Sequence, residues 1–150
     1  MFSGTNVLDF RGSSIPREPI EAYLATDYSI CGGRRLILRV GQRNQDLAAL
    51  YQKYAVSTAA VLTAWNPYSE PRSDADNETA QRELSSEIVS LSLRHEPGHG
   101  ADTTGKWPPE PSRLVLGIDL ETAATLGRRF RQNGIVWVSA NAVPILVLLR

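Results

Sequence analysis

Apolar and polar positions along the chain alternate between a period near two and a period near 3.6, and the switches mark the elements. Residues 1–16 are rich in Gly, Ser and Asn and follow neither period, so they read as a loose lead-in to a single globular domain over 17–150. "PREPIEAYLATDY" places Ile20, Tyr23 and Leu24 on one helical face, with Pro19 in the tolerated first turn. After "CGG", the stretch "RRLILRVG" alternates as a strand, Leu36, Leu38 and Val40 opposing Arg35, Ile37 and Arg39. Asn44 is an N-cap for "QDLAALYQKY", in which Leu47, Leu50, Tyr51 and Tyr54 share a face.

The run "STAAVLTAW" is apolar almost throughout, which predicts a strand covered on both faces. "NPYSEPRSD" is a loop, and Ser73 or Asp74 caps the longest helix, about 75–92, with Ala80, Leu84, Ile88 and Leu91 as its buried stripe. "RHEPG" reads as a short strand, "HGADTTGKWPPEPS" as a loop and "RLVLGI" as a further buried strand. Asp119 caps "LETAATLGRRFRQ", with Leu120, Ala123, Ala124, Gly127 and Phe130 facing inward. "GIVWVS" and "VPILVLL" close the chain as a hairpin turning at Ala140–Asn141. Helices that alternate with strands before a final strand pair predict an α+β domain, a mixed sheet of five or six strands packed against three or four helices.

Composition narrows the function classes. Sixteen basic residues balance sixteen acidic ones, so no overall field attracts double-stranded nucleic acid or an anionic membrane. The longest apolar run, "AVPILVLL", is far shorter than the ~20 residues of a spanning helix. The opening "MFSGTNVLDF" lacks the basic start and apolar centre of a secretory signal, and the expectation is a cytoplasmic protein. The single cysteine, Cys31, leaves no internal disulfide and no Cys-rich zinc site.

One segment, "HEPGH" at 95–99, carries the letters of the zincin pattern His-Glu-x-x-His. That pattern works only on a helix, where two histidines one turn apart converge on a metal. Pro97 and Gly98 oppose a helix at this point, so the expectation is no metal and no cofactor. No serine lies in a Gly-x-Ser-x-Gly elbow and no phosphate-binding glycine loop is present. The acidic helix start "DADNE" repels an anion from the positive end of its dipole.

What remains for chemistry gathers at the predicted strand and helix ends: Trp65, Asn66 and Tyr68 in "TAWNPYS", Asn77 on the long helix, Trp107 and Glu110 in "KWPPEPS", and Arg129 and Gln132 in "RRFRQNG". Prolines 67, 108, 109 and 111 stiffen these loops, and stiff loops can hold a site. The same side chains could equally cap the core, fix turns or complement a helix dipole. The motifs "TAWNPYS", Asn77–Glu78, "WPPEPS" leading into "LVLGI", and "TLGRRFRQNGIVWV" resemble, in order and from about residue 20 to 148, a bacterial family described as domain of unknown function 3293. That resemblance implies a small single-domain protein with no assigned activity, and a shared pattern of Trp65, Asn66, Pro67, Asn77, Trp107, Glu110 and Gln132. Gly134 departs from it, standing where alanine is expected, which would loosen packing.

Three functions compete. The first is a non-catalytic binding or accessory module whose strand-end cleft takes a small polar ligand or a peptide. The second is a hydrolase or transferase with Glu110 as general base and Arg129 or Arg131 stabilising negative charge. The third is a protein–protein adaptor using the acidic outer face of helix 75–92. The first is the expectation.

Overall fold

The computed structural model describes residues 6–9, 13–31 and 36–150. The Gly32–Gly33 break and Arg35 lie outside the described residues, as do 1–5 and 10–12 of the lead-in. The chain forms an α+β domain in the order β1 (Val7–Asp9), α1 (Arg17–Leu24), β2 (Thr26–Ile30), β3 (Leu36–Leu38), α2 (Gln45–Tyr54), β4 (Ala59–Leu62), α3 (Asp74–Ser90), β5 (Arg94–Asp102), β6 (Glu110–Leu116), α4 (Leu120–Arg129), β7 (Gly134–Val138) and β8 (Pro144–Leu148). The eight strands make one mixed sheet in the order β1-β8-β7-β4-β6-β5-β2-β3, in which only the β1–β8 pair is parallel.

Four helices agree with the sequence pattern, but the sheet has eight strands where five or six were expected. Two of the additional strands flank α1. Val7–Asp9, within the lead-in, adds to β8, and Thr26–Ile30 is β2, although Thr26–Tyr28 were expected to continue the helix of α1. Beta-branched Thr26 and Ile30 with Tyr28 suit a pleated surface better than a helix end.

β5 is also longer than its apolar content suggested. It runs nine residues through "RHEPGHGAD" because its neighbours pair with it on both sides, Gly98–Asp102 with β2 and Arg94–Gly100 with β6. His99–Asp102, expected in a loop, therefore belong to this strand, and Glu110–Ser112 open β6. Pro97 is tolerated because its carbonyl accepts from the Cys31 amide, so its missing N–H faces the end of β2, where pairing stops. In a strand, His95 and His99 stand roughly 13 Å apart at ~3.3 Å per residue, so the zincin spacing has no convergent geometry here.

The sheet curls. Gly41 and Asn44, just beyond edge strand β3, donate their amides to the carbonyls of Pro144 and Ala142 at the start of β8, drawing opposite sides of the strand order together. Asn44 also caps α2, accepting from the Leu47 amide. On one face α2 packs Leu47, Leu50 and Tyr51 against Ile30, Val61, Leu114 and Val136. On the other, α3 and α4 pack Leu84, Ile88, Ala123, Leu126 and Phe130 against Leu62, Val115, Ile135 and Val147. α1 brings Ile20 onto Leu146 and Leu148. β4, fully buried, lies at the centre as its apolar run predicted. No helix among the described residues is long and apolar enough to cross a membrane.

The buried stripe of α3 differs from expectation. Asn77, Gln81, Leu84 and Ile88 are buried, while Leu91 is exposed. The cause is backbone chemistry. Past β4 the chain leaves the sheet with unpaired amides, and two of them, Ala64 and Asn66, donate to the side-chain oxygens of Gln81 and Asn77 one helical turn apart. Ser73 supplies the N-cap, accepting from the Asp76 amide.

Candidate functional site

Beside α1, on the face it shares with α2, the sheet forms the floor of a partly open cavity of about 210 Å³. Its floor comes from alternate residues of the central strands: Val61 and Thr63 of the β4 segment, Glu110 and Ser112 of β6, Gly134 and Val136 of β7, and Leu146 of β8. Pro19, Ala22 and Tyr23 of α1 cover it, Thr26 and Tyr28 of β2 wall one side, and Trp107 and Pro108 stand in the loop beyond β5.

The polar end is built by a chain of amides whose orientation is forced. The Asn66 backbone amide can only donate, so the oxygen it meets at 2.9 Å is Asn77 Oδ1. Asn77 Nδ2 therefore donates to Asn66 Oδ1 (2.8 Å), which also accepts from the Arg72 amide (3.0 Å). With its oxygen so occupied, Asn66 presents Nδ2 to Glu110 Oε2 at 3.2 Å. Asn66, Tyr68 and Ser69 all hold positive φ (43°, 56° and 61°) without being glycine, a cluster of strained backbone that the surrounding bonds hold in place. Tyr68 N donates to the Arg131 carbonyl, and Ser69 Oγ meets both Tyr23 Oη (2.8 Å) and Asn133 Nδ2 (3.1 Å).

Glu110 is the polar group left for the cavity, with Ser112 beside it on β6 and Tyr28 opposite, the Tyr28 hydroxyl donating to the Tyr23 carbonyl at 3.4 Å. Glu110 is partly buried, and burial pushes its carboxyl above the ordinary range, the Asn66 bond opposing the shift. Its Oε1 has no hydrogen bond among the described residues. Ser112, only 7% exposed, has a buried hydroxyl with no partner. Tyr28, Gly100 and Glu110 lie in one row across β2, β5 and β6, and a Cβ at Gly100 would come within 3.3 Å of the Tyr28 ring, so the glycine of "HGAD" leaves room for that ring beside Glu110. Burial, with Tyr23 nearby, raises the Tyr28 phenol far above its usual value and keeps it neutral.

Of the residues singled out in the sequence, Asn66, Asn77 and Glu110 are bonded in series, and Asn66, Glu110, Trp107 and Gln132 line the cavity. Gln132 is oriented by donating Nε2 to the carbonyls of Trp65 and Phe130. Trp65 contributes that carbonyl, and its indole does not line the cavity. Tyr68 points elsewhere, its ring under the Arg150 guanidinium at 4.1 Å. Arg129 is not part of the group either, pairing with Glu87 of α3 at 2.9 Å. Ser69, at the end of "TAWNPYS", also lines the cavity, whereas Tyr23, Tyr28 and Ser112 were not anticipated as site residues. A signal for Ser112 existed: it is two residues from Glu110 and two from buried Leu114, which puts all three on one face of a strand.

Gly134 also has a different meaning from the one its sequence position suggested. A Cβ there would lie 3.0 Å from the Val147 carbonyl oxygen, so glycine permits close approach of β7 to β8 and does not loosen it.

The shift at Glu110 predicts a pH-dependent stability. A carboxyl whose folded value is raised favours the fold when protonated, and that contribution is lost as pH rises through the folded value. Glu110→Gln keeps an acceptor for Asn66 and has no charge to bury. We expect its melting temperature to exceed that of the wild type at pH 7, with the difference closing toward pH ~4, where the unfolded carboxyl is also protonated. Thermal melts of both proteins across pH 4–8 check this, and a wild type more stable than the variant at pH 7 would contradict it.

Residues 62–135 match the family model described as "Protein of unknown function (DUF3293)", so the resemblance carried by the motifs holds over that span. No curated protein and no solved structure matches the chain.

Proposed function

We propose that this chain, whose family pattern spans the residues building the polar end of the cavity, is a binding module for a small ligand held against the sheet beneath α1. The observation that carries this reading is the partly buried Glu110 carboxyl at the polar end of the cavity, held by Asn66 at one oxygen and unbonded at the other among the described residues. A carboxylate oxygen left without a donor in a partly buried site favours a bound molecule that supplies one. The strained Asn66–Ser69 segment supports the same reading, because strain held in place by a dense bond network is a feature of ligand sites. The small volume favours a small molecule over a peptide.

Native mass spectrometry of the purified chain, followed by the same measurement on Ser112→Met, tests the reading. A retained small molecule is expected in the wild type, with at least tenfold lower occupancy when the longer side chain fills the space. Equal occupancy in the two proteins would rule the cavity out. A second reading, general-base catalysis by Glu110, is favoured by its raised protonation. It would need a charge-stabilising group other than Arg129, which is engaged by Glu87.

A further inference from the structure

We infer that the ligand of this cavity is a compact organic cation, an ammonium or amidinium on a small apolar body, bound head-first to Glu110. The inference rests on the cavity reading above and adds the chemical class.

Charge gives the first argument. Among the described residues lining the cavity there is no Lys, Arg or His, while Glu110 and Asp102 are both there. Asp102 is already served by the Thr104 hydroxyl and by the amides of Thr104 and Lys106 in its own loop. Glu110 is the acidic group left facing the space, and an anion placed beside it would meet a carboxylate with no compensating cation.

Hydrogen-bond polarity gives the second. The amide series runs in one direction only, from the fixed backbone donors of Asn66 and Arg72, so Asn66 can only donate to Glu110. The carboxylate is thereby held as an acceptor, with Oε1 open. What it lacks is a donor, and a charged donor gives the stronger bond.

The walls give the third. Tyr23, Tyr28 and Trp107 offer aromatic rings at the sides and mouth, and Val61, Val136 and Leu146 give the floor an apolar lining. Aromatic faces attract a desolvated cation, and the apolar floor suits a hydrocarbon body.

Benzylammonium, benzyl alcohol and benzoate share one body and differ in the charge of the head. Titrating each into the full chain and following the backbone amide resonances of Thr63, Gly100 and Ser112 tests the inference. Benzylammonium is expected to bind at least tenfold more tightly than benzyl alcohol, and benzoate more weakly still. In Glu110→Gln, the ammonium should lose at least tenfold while the alcohol changes less than twofold. In the wild type, ammonium affinity should fall as the pH is lowered and Glu110 protonates; the other titratable groups lining the space are Asp102, Tyr23 and Tyr28. Alcohol or benzoate binding as tightly as the ammonium would overturn the cationic ligand and leave the cavity reading standing, as would ammonium affinity unchanged in a folded Glu110→Gln. Absence of any shift at these amides with all three probes would overturn both. The wild-type comparison of the three probes decides the matter should the variant not fold.

Discussion

Gly98→Ala is expected to destabilise the domain by about 3 kcal/mol, near the upper end of what overpacking costs. The added Cβ would sit 2.5 Å from the Ser29 carbonyl oxygen and 2.8 Å from Ile30 Cδ1. Neither neighbour can retreat. Ser29 is backbone in β2, which is paired on both sides, and Ile30 is wholly buried in the core beneath α2. Gly100→Ala is the matched control: its Cβ meets only side-chain atoms of Thr26 and Tyr28, at 3.2 Å and beyond, and about 1 kcal/mol is expected from so mild an overpacking. Urea unfolding of the two variants beside the wild type gives the comparison. Equal effects would mean that β2 yields to the intruding methyl. This result would also explain the letters of "HEPGHG": the glycines are where β5 has β2 lying closest against it, and the histidines point to the opposite face.

Asn77→Ala is the second large effect, expected to cost about 2–4 kcal/mol. Asn77 is 2% exposed, and its side chain is the partner of the Asn66 amide and of Asn66 Oδ1. Truncation leaves a partly buried amide donor without its partner and removes what holds Asn66 at a φ of 43°. The loss therefore extends to Glu110, whose Oε2 depends on the amide so oriented. Unfolding measurements read the stability. Amide spectra should show Thr63, Asn66 and Ser112 perturbed, with α2 on its own patch of core unchanged. A cost below about 1 kcal/mol, the size of an ordinary surface change, would mean that water replaces the side chain without strain.

The sequence made the central architecture legible because its clearest patterns answer to burial. The apolar run ending at Trp65, the Asn44, Ser73 and Asp119 caps, and the terminal hairpin appear where the periods put them. The missed elements are short or polar. β1 has three residues and gains its place from β8, and β2 is partly buried along most of its length, so its pairing outweighs a local pattern that continues α1. The site was legible in part. Asn66, Asn77 and Glu110 stood out as polar residues next to buried strands, but that Asn77 faces inward depends on a tertiary fact, the unpaired amides beyond β4. Arg129 and Tyr68 looked alike in sequence and are drawn away by Glu87 and Arg150, partners on other elements.

The strand order has a consequence for biosynthesis. β4 waits for β7 and β1 waits for β8, so three of the seven strand pairings can form only once the last two strands have been translated. Contacts between such distant segments form slowly. Until they do, the nascent polypeptide leaves one edge of β4, a strand wholly buried in the finished fold, without its partner, a period in which it is a natural client for a holding chaperone.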